Sequence, residues 1–243
     1  MPRCACSGCC SDAVQAEELS IGIVVPVFNE ATTLGTRLQA LRDVAQSRSP
    51  VVVVDGGSTD GSASIARRFF HTEMAEQANR GHQLNRGAQC LMNDVLLFLH
   101  ADSRLPRGFD FYIQRALANP CVVGGCFRLQ FDVSRPLLRF YSWFTRFPGR
   151  FFHFGDQAFF VRREVFLKMG GFQPLPFLED VDFLRRLRHF GEFAILPVAV
   201  LTSARRFVRR GVVRQQLANI ILVTLFELGV SVDRLAPLYP HIR

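Results

Sequence analysis

This chain reads as an α/β protein: a single Rossmann-like domain with a mixed, mainly parallel central sheet flanked by helices, plus a C-terminal helical extension. Three observations carry that expectation. Apolar, β-branched runs recur at Ile21 to Val27, at Val51 to Val54 and from Val95 onward, each closed by polar or glycine-bearing turn residues. Segments of helical period separate them, long enough to cross over between parallel strands. About half of the 243 residues are apolar, enough to fill a sizeable core.

Residues 1–18 lack periodicity and read as a Cys-rich tail, 19–207 as the main domain and 208–243 as the extension. The first strand ends on Phe28-Asn29-Glu30, and Leu34, Leu38 and Leu41 then mark one face of a helix. Pro50 introduces the second strand, which runs into DGGSTDGS from Asp55. Ser58, Thr59 or Asp60 can cap the helix that carries Ile65, Ala66 and Phe69. A loop at Arg80-Gly81 leads to a helix from Gln83 to Met92, and VLLFLHADSRLP follows, an apolar run that delivers His100, Ala101 and Asp102 at its end. Further on, Cys121 to Asp132 predicts a longer strand and Leu137 to Phe147 an aromatic helix. Phe159 to Val161 and Ala194 to Leu201 predict strands, with a helix at Val181 to Phe190 between them. Leu217 to Val230 is apolar almost all round but too short and interrupted to span a bilayer comfortably.

The formal net charge is +8, and Lys168 is the one lysine, so arginine carries it. A guanidinium pairs with planar oxyanions through a rigid fork, which suits a phosphate-bearing ligand or an anionic surface. A general preference for arginine codons accounts for the same composition. No basic run with interleaved aromatics forms a nucleic-acid groove, so nucleic acid is not expected as a partner. Cys4, Cys6, Cys9 and Cys10 crowd the first ten residues, and seven cysteines in all make an odd count. With no secretory apolar core after Met1, this argues against a disulfide framework and for a reducing, cytoplasmic compartment. The four N-terminal thiols are either a free tail or ligands for a soft metal or metalloid.

In open α/β sheets, ligands sit beyond the carboxyl ends of the strands. Here those ends carry Asn29 and Glu30, then Asp55 and Asp60, then His100 and Asp102. The second of these is not a dinucleotide fingerprint. Asp55 precedes its glycines, where it would repel a pyrophosphate, and neither G-x-G-x-x-G nor G-x-x-x-x-G-K-[ST] occurs. A carboxylate at a strand end can instead accept hydrogen bonds from a nucleobase or ribose, with Gly56 and Gly57 letting the ring approach the backbone.

The order VVPVFNE, VVVVDGGSTDGS, RGHQLNRGA, LLFLHADSRLP and FLEDVDFLRRL resembles the family 2 glycosyltransferases of the GT-A fold over roughly residues 20 to 210. With GDQAFFVRREVF, GGF and TSARRF added, the pattern is similar to a bacterial subgroup associated with arsenosugar biosynthesis. The resemblance implies an inverting, hexosyl-type transfer from a nucleotide-sugar donor, UDP-linked in the common case, to a small-molecule or lipid-linked acceptor hydroxyl. Pro26, Phe28 and Glu30 would line the base and ribose pocket, with Asp55 its main acceptor. Arg80, Gln83 and Asn85 match the loop along the donor. His100, Ala101 and Asp102 fall on the family's D-x-D motif, with Asp102 holding Mn²⁺ or Mg²⁺ and His100 standing where the first acid belongs. Asp180, beside Glu179, matches the general base. A hard divalent ion neutralises the leaving diphosphate and a carboxylate deprotonates the acceptor, which is why such chemistry needs these residue types.

Other features carry paired readings. Asp156 and Gln157 either meet the acceptor or close a turn. Arg205 and Arg206 could clamp a phosphate. Asp182 reads as a charge favoured by a helix N-terminus. Phe140 to Phe154 reads as core or interface packing before sugar stacking by Tyr141 or Trp143, and His82, His153 and His189 read as structural. The Arg205–Val230 region reads equally as an interfacial anchor making peripheral contact with the inner face of a membrane and as a buried helix. Two rivals to transfer remain open: an inactive nucleotide-sugar-binding protein, motivated by His100, and a thiol-rich metal or metalloid carrier.

Overall fold

The computed structural model describes residues 18–45, 48–75, 79–147 and 155–238. Its strands are β1 (Ile21–Val27), β2 (Val51–Asp55), β3 (His71–Met74), β4 (Val95–Phe98), β5 (Val122–Phe131), β6 (Phe159–Arg162) and β7 (Glu192–Thr202). They form one sheet in the order β3-β2-β1-β4-β6-β5-β7. Pairing is parallel except where β6 lies antiparallel to both β4 and β5. Two reversals restore direction, so β1, β2, β4, β5 and β7 all end at the same edge. Because β6 runs the other way, the residues preceding it arrive at that edge as well.

Helices cover both faces, which is why the central strands are apolar on both sides. α1 (Ala31–Ala45), α2 (Ser62–Arg67) and α4 (Phe109–Leu117) lie on one face, where Leu34, Leu38, Ala66 and Ile113 pack against Ile23, Val25, Val53 and Leu97. α3 (Arg80–Gln89), α6 (Arg163–Lys168) and α7 (Glu179–Leu187) lie on the other, with Leu84, Phe166 and Phe183 against Val24, Val54 and Phe98. The side chains of β1 alternate between these two cores, as a strand's period of two requires. α5 (Pro136–Phe144) packs beside β5, and α8 (Arg205–Arg210), α9 (Val212–Glu227) and α10 (Val232–Leu235) complete the described chain.

The strand and helix sequence follows the pattern read from the residues, with three additions: β3, α4 and α6. β3 was not foreseen because HTEM is a polar, exposed edge strand without an apolar run. α4 was not assigned either, although Phe109, Ile113 and Leu117 keep helical spacing and are buried. Helix starts also move earlier: α3 begins at Arg80, where the Asn79 side chain accepts from the His82 amide at 3.1 Å. The apolar period marks a helix's buried face, whereas its start is set by the cap.

The C-terminal segment is not a loose appendage. Leu222, Val223, Phe226, Val232 and Leu235 form a core with Phe177 and Val181 of the α7 region. No helix among the described residues is long and apolar enough to cross a membrane.

α3 sits unusually close to the sheet. A Cβ on Gly87 would lie 2.4 Å from Val24 Cγ1 and 3.0 Å from Val54 Cγ2. Gly87→Ala should therefore lower the urea midpoint. Overpacking costs roughly 1–3 kcal/mol, only partly offset by the ~1 kcal/mol helix preference of alanine over glycine. An unchanged or higher midpoint would show that the helix can move off the sheet freely.

Candidate active site

The first wall of the site is the pair of turns after β1 and β2. Asp55 is fully buried, and its Oδ1 accepts from the amides of Gly57 and Ser58 at 2.9 and 2.7 Å. Its Oδ2 is buried too and has no partner among the described residues. A buried acceptor left unpaired is costly, so it marks a place where a ligand donor belongs. Asn29, at φ 51°, accepts from the Thr59 amide on its side chain and donates its own backbone amide to the Ser58 hydroxyl oxygen, locking the two turns together. Asp60 lies beneath them. It accepts from the Ala31 amide at the start of α1 and from the amide and hydroxyl of Ser62 at the start of α2. The Ser62 hydroxyl first, then the Ala31 amide, hold its carboxyl below the usual carboxylate range. Asp60 is a cap, as one of its sequence readings had it.

Two residues expected along a donor turn out to serve the scaffold. Gln83 is buried, and its Nε2 donates to the carbonyls of Val27 and Val54 at 2.8 and 2.9 Å, tying the ends of β1 and β2 together beneath Gly56. Asn85 exchanges two hydrogen bonds with the Phe172 backbone, at 2.8 and 2.9 Å, and so anchors the Gly171-Phe172 loop. The two share one cause: α3 turns these amides toward the protein, where backbone groups need partners. Asp182 likewise holds Arg186 at 2.7 Å, and Arg186 donates to the Met169 and Gly171 carbonyls.

The second wall is the His100–Ser103 turn, closed by the Ser103 amide on the His100 carbonyl at 3.0 Å. Ser103 Oγ meets Thr202 Oγ1 at 2.9 Å, and Arg104 exchanges backbone hydrogen bonds with Leu201, so the turn is fastened to the end of β7. Asp102 remains part-exposed on that turn, 3.9 Å from Arg205 Nη2. The same Arg205 nitrogen donates to Glu30 Oε2 at 2.7 Å. Arg205 thus bridges the acids that close β1 and β4, and its hydrogen bond to Glu30 raises its pKa further. Asp132 sets the base of this arginine by accepting from the Ala204 amide at 2.8 Å. The Arg206 side chain lies outside the described residues, as do Cys4, Cys6, Cys9, Cys10 and His153.

The third wall is where the reversed strand matters. Gly155 opens the short 3-10 turn before β6, and its amide donates to Asp180 Oδ2 at 2.6 Å. Asp180 Oδ1 accepts from the Val181 amide at 2.8 Å. Arg80 Nη2, Asp180 Oδ2 and His100 Nε2 would each lie within 2.9 Å of a Cβ on Gly155. Residues 80, 100, 155 and 180 therefore meet at one point. Arg80 Nε also stands 3.3 Å from Oε1 of the buried Glu179. His100 Nε2 faces this cluster, so its structural place is beside Asp180. Ala158 at φ 51° and Leu178 at φ 60° hold the backbone on either side in the left-handed region that non-glycine residues seldom adopt.

Tyr141 extends this wall. Its ring packs with Phe131 and Phe207 as core, the reading made from sequence, but its hydroxyl end meets Gln216 and lies near Asp156 and Asp180. Burial above all, then the charge of Asp156, pushes its pKa well above the usual tyrosine value. No sequence signal distinguishes it from the surrounding aromatics. Gln157 is fully buried and accepts from the Cys126 thiol at 3.4 Å; burial pushes that thiol up, so it is inert.

A divalent cation fits Asp102 in a specific sense. Among the described residues the one three-ligand group is His71, Glu73 and Cys90, on the distant β3 edge, where Arg86 already holds Glu73 at 2.9 Å. Asp102 belongs to no such cage. A lone carboxylate suits the hard ions that are held jointly by one or two acids and a ligand's phosphates.

The mixed, mostly parallel seven-stranded sheet flanked by helices is that of the GT-A class of folds. Residues 22–170 match the family described as Glycosyl transferase family 2, and the chain belongs to that family. It is similar to the uncharacterized glycosyltransferase YibD of Escherichia coli (strain K12), 24% identical over 113 residues, covering 44% of this chain and 33% of that protein. The mannosyltransferase PcManGT from Pyrobaculum calidifontis, solved with GDP-Man and Mn²⁺, superposes with a TM-score of 0.65 at 21% identity, covering 87% of this chain and 64% of that one. Glucosyl-3-phosphoglycerate synthase from Mycobacterium tuberculosis, solved with Mn²⁺, UDP and glucosyl-3-phosphoglycerate, gives 0.61 at 18%, covering 88% and 81%. The chain thus spans a third of YibD and just under two thirds of PcManGT.

Because Gly155 has no side chain, three functional groups can converge on it. Gly155→Ala should leave the thermal midpoint nearly unchanged, since Arg80 and His100 can swing aside, yet reduce turnover at least tenfold. Wild-type turnover in this variant would show that the convergence is incidental.

Proposed function

We propose that this protein is an inverting glycosyltransferase that moves a sugar from a nucleotide-sugar donor to an acceptor hydroxyl. The observation that carries the reading is the convergence, on one sheet edge, of the unpaired Asp55 Oδ2, the exposed Asp102 and the backbone-anchored Asp180. Asp55 Oδ2 accepts an N–H from the nucleobase, and Pro26 and Phe28 flank that pocket. UDP is the first donor nucleotide to test; neighbours of this fold were solved with UDP and with GDP-Man. Asp102 would hold the divalent ion, Mn²⁺ or Mg²⁺, which when bound neutralises the departing diphosphate.

The chain's own residues do the rest. Arg205 exchanges its contact with Glu30 for the donor phosphates, moving a fixed positive charge to where negative charge develops. Asp180 has both oxygens oriented by backbone amides, and a carboxylate keeps lone pairs beyond those two bonds. It takes the acceptor hydroxyl proton as that oxygen attacks the anomeric carbon from the face opposite the leaving group. One displacement inverts the anomeric centre. Arg80, held by Glu179, and His100 orient the acceptor or sugar beside Asp180, and Asp156 lies behind them. The similarity of LHADSRLP, GDQAFF and TSARRF to the arsenosugar-associated subgroup supports an acceptor in arsenosugar or related glycoside synthesis. The free thiols of Cys90, Cys121 and Cys126 fit the cytoplasmic location expected from the cysteine pattern.

Two measurements check this. Thermal shifts with UDP, GDP, dTDP, CDP and ADP, each with Mn²⁺ and with EDTA, should give one preferred nucleotide. Asp55→Ala should lose its shift, and Asp102→Ala only the Mn²⁺-dependent part. Asp180→Asn should keep the nucleotide shift and lower transfer roughly 10²–10⁴-fold, the range for a lost general base. Full transfer by Asp180→Asn would overturn the base, and nucleotide binding without turnover by the wild type under any cation would favour a binding protein instead.

A further inference from the structure

α5 presents an apolar face to solvent. Leu137, Phe140, Trp143 and Phe147 recur at helical spacing and are 39–60% exposed, although aromatic side chains of this size are normally covered. Phe140 meets Phe144 and Trp143 meets Phe147, with ring centroids 4.8 and 4.6 Å apart, so the rings form one surface cluster. α9 adds a second exposed apolar stripe at Leu217, Ile220 and Ile221. The two helices border the same buried cluster: Val212 of α9 packs with Leu138, Tyr141 and Phe207, and Tyr141 meets Gln216.

Basic residues dominate this surface, with Asp132 and Glu227 at its borders. Residues 133–147 contain Arg135, Arg139 and Arg146 and no acid, and 203–226 contain five arginines and no acid. Beneath α5 a groove of about 930 Å³ runs between the helix and the ends of β5 and β7, lined by Arg128, Arg139 and Arg146 together with Phe140 and Trp143. Arg128 Nη1 donates to the Pro197 carbonyl at 3.3 Å, but its buried Nε has no acceptor among the described residues. A guanidinium donor buried without a partner calls for an anion.

We propose that this face docks on an anionic lipid bilayer, with the α5 aromatics entering the headgroup–acyl boundary and the Arg128–Arg139–Arg146 groove receiving a lipid phosphate. Aromatic and aliphatic groups ringed by arginine match the chemistry of that boundary. A second copy of the chain fits less well, because an isologous contact would set each basic rim against a basic rim. The sequence pointed only to the Arg205–Val230 region; α5 and the groove are the new part. Since Tyr141 reaches from the same helix toward Asp156 and Asp180, docking would hold the carboxylates near the lipid surface.

Trp143 is the chain's single tryptophan, so its emission reports on this surface alone. Vesicles containing about one third phosphatidylglycerol should shift that emission to the blue, lipids brominated on the acyl chain should quench it, and pure phosphatidylcholine should do neither. Phe140→Ser should weaken partitioning roughly tenfold, the scale of removing one buried aromatic side chain. Arg139→Glu with Arg146→Glu should weaken it at least as much. Both variants alter exposed positions, and an unchanged far-UV circular dichroism spectrum would confirm that they fold. No shift with anionic vesicles would overturn the proposal. So would a stable dimer in light scattering whose Trp143 emission is already blue without lipid. Neither result would bear on nucleotide binding, which is read separately by thermal shift.

Discussion

The hydrogen bond from the Gly155 amide to Asp180 Oδ2, 2.6 Å long, holds the α7 carboxylate at the sheet edge where the parallel strands end. The parallel half, β3 to β4, delivers Asp55, His100 and Asp102 to the sheet edge. That half alone offers a binding pocket without a facing base. The antiparallel β6 brings Gly155 to the same edge, and Gly155 in turn fixes the carboxylate at the start of α7. Only a glycine admits Arg80, His100 and Asp180 at once, because a Cβ would collide with all three. The reversal of one strand is therefore what gives this sheet edge a second wall of polar groups.

Around that contact the protein divides polar groups by whether they face inward or outward. Gln83, Asn85 and Asp60 satisfy backbone groups that burial would otherwise leave unpaired, and Asp182 holds Arg186, which does the same for the Met169 and Gly171 carbonyls. Asp55 Oδ2 and Asp102 are left over from this scheme, the one buried without a partner and the other exposed beside Arg205. Arg205 links the two kinds. Its backbone is set by Asp132 and Ala204, while its side chain is free to exchange one anion for another. A cation held between two acids screens their mutual repulsion.

Much of this was legible in the residues. The buried strands announce themselves by uninterrupted valine and leucine, and a strand that ends on Asp55 or on His100-Ala101-Asp102 is conspicuous because burial ends abruptly at a charge. The polar residues of α3 were not legible in the same way. Gln83 and Asn85 look like ligand contacts in a motif, and only the turn of the helix shows that their amides point at Val27, Val54 and Phe172. Gly155 and Tyr141 were illegible for another reason: their roles arise from contacts across 15 or more residues in chain order, and nothing local marks them. The edge strand β3 was missed because an edge needs no apolar alternation.

α5 shows how one helix can carry two unrelated duties on faces set by its period. Leu138 and Tyr141 point inward, where the tyrosine hydroxyl lies near Asp156 and Asp180. Leu137, Phe140 and Trp143 point outward and stay 44–60% exposed despite the contacts of Phe140 with Phe144 and of Trp143 with Phe147. Stability of the fold accounts for the first set, since those rings join Phe131 and Phe207 in a closed cluster. It does not account for the second, because exposed aromatics gain little from folding and raise the tendency to aggregate. On the lipid-docking proposal the arginine-flanked aromatics belong to the surface the protein meets, carried by the same helix whose inner face packs Leu138 and Tyr141 into the core.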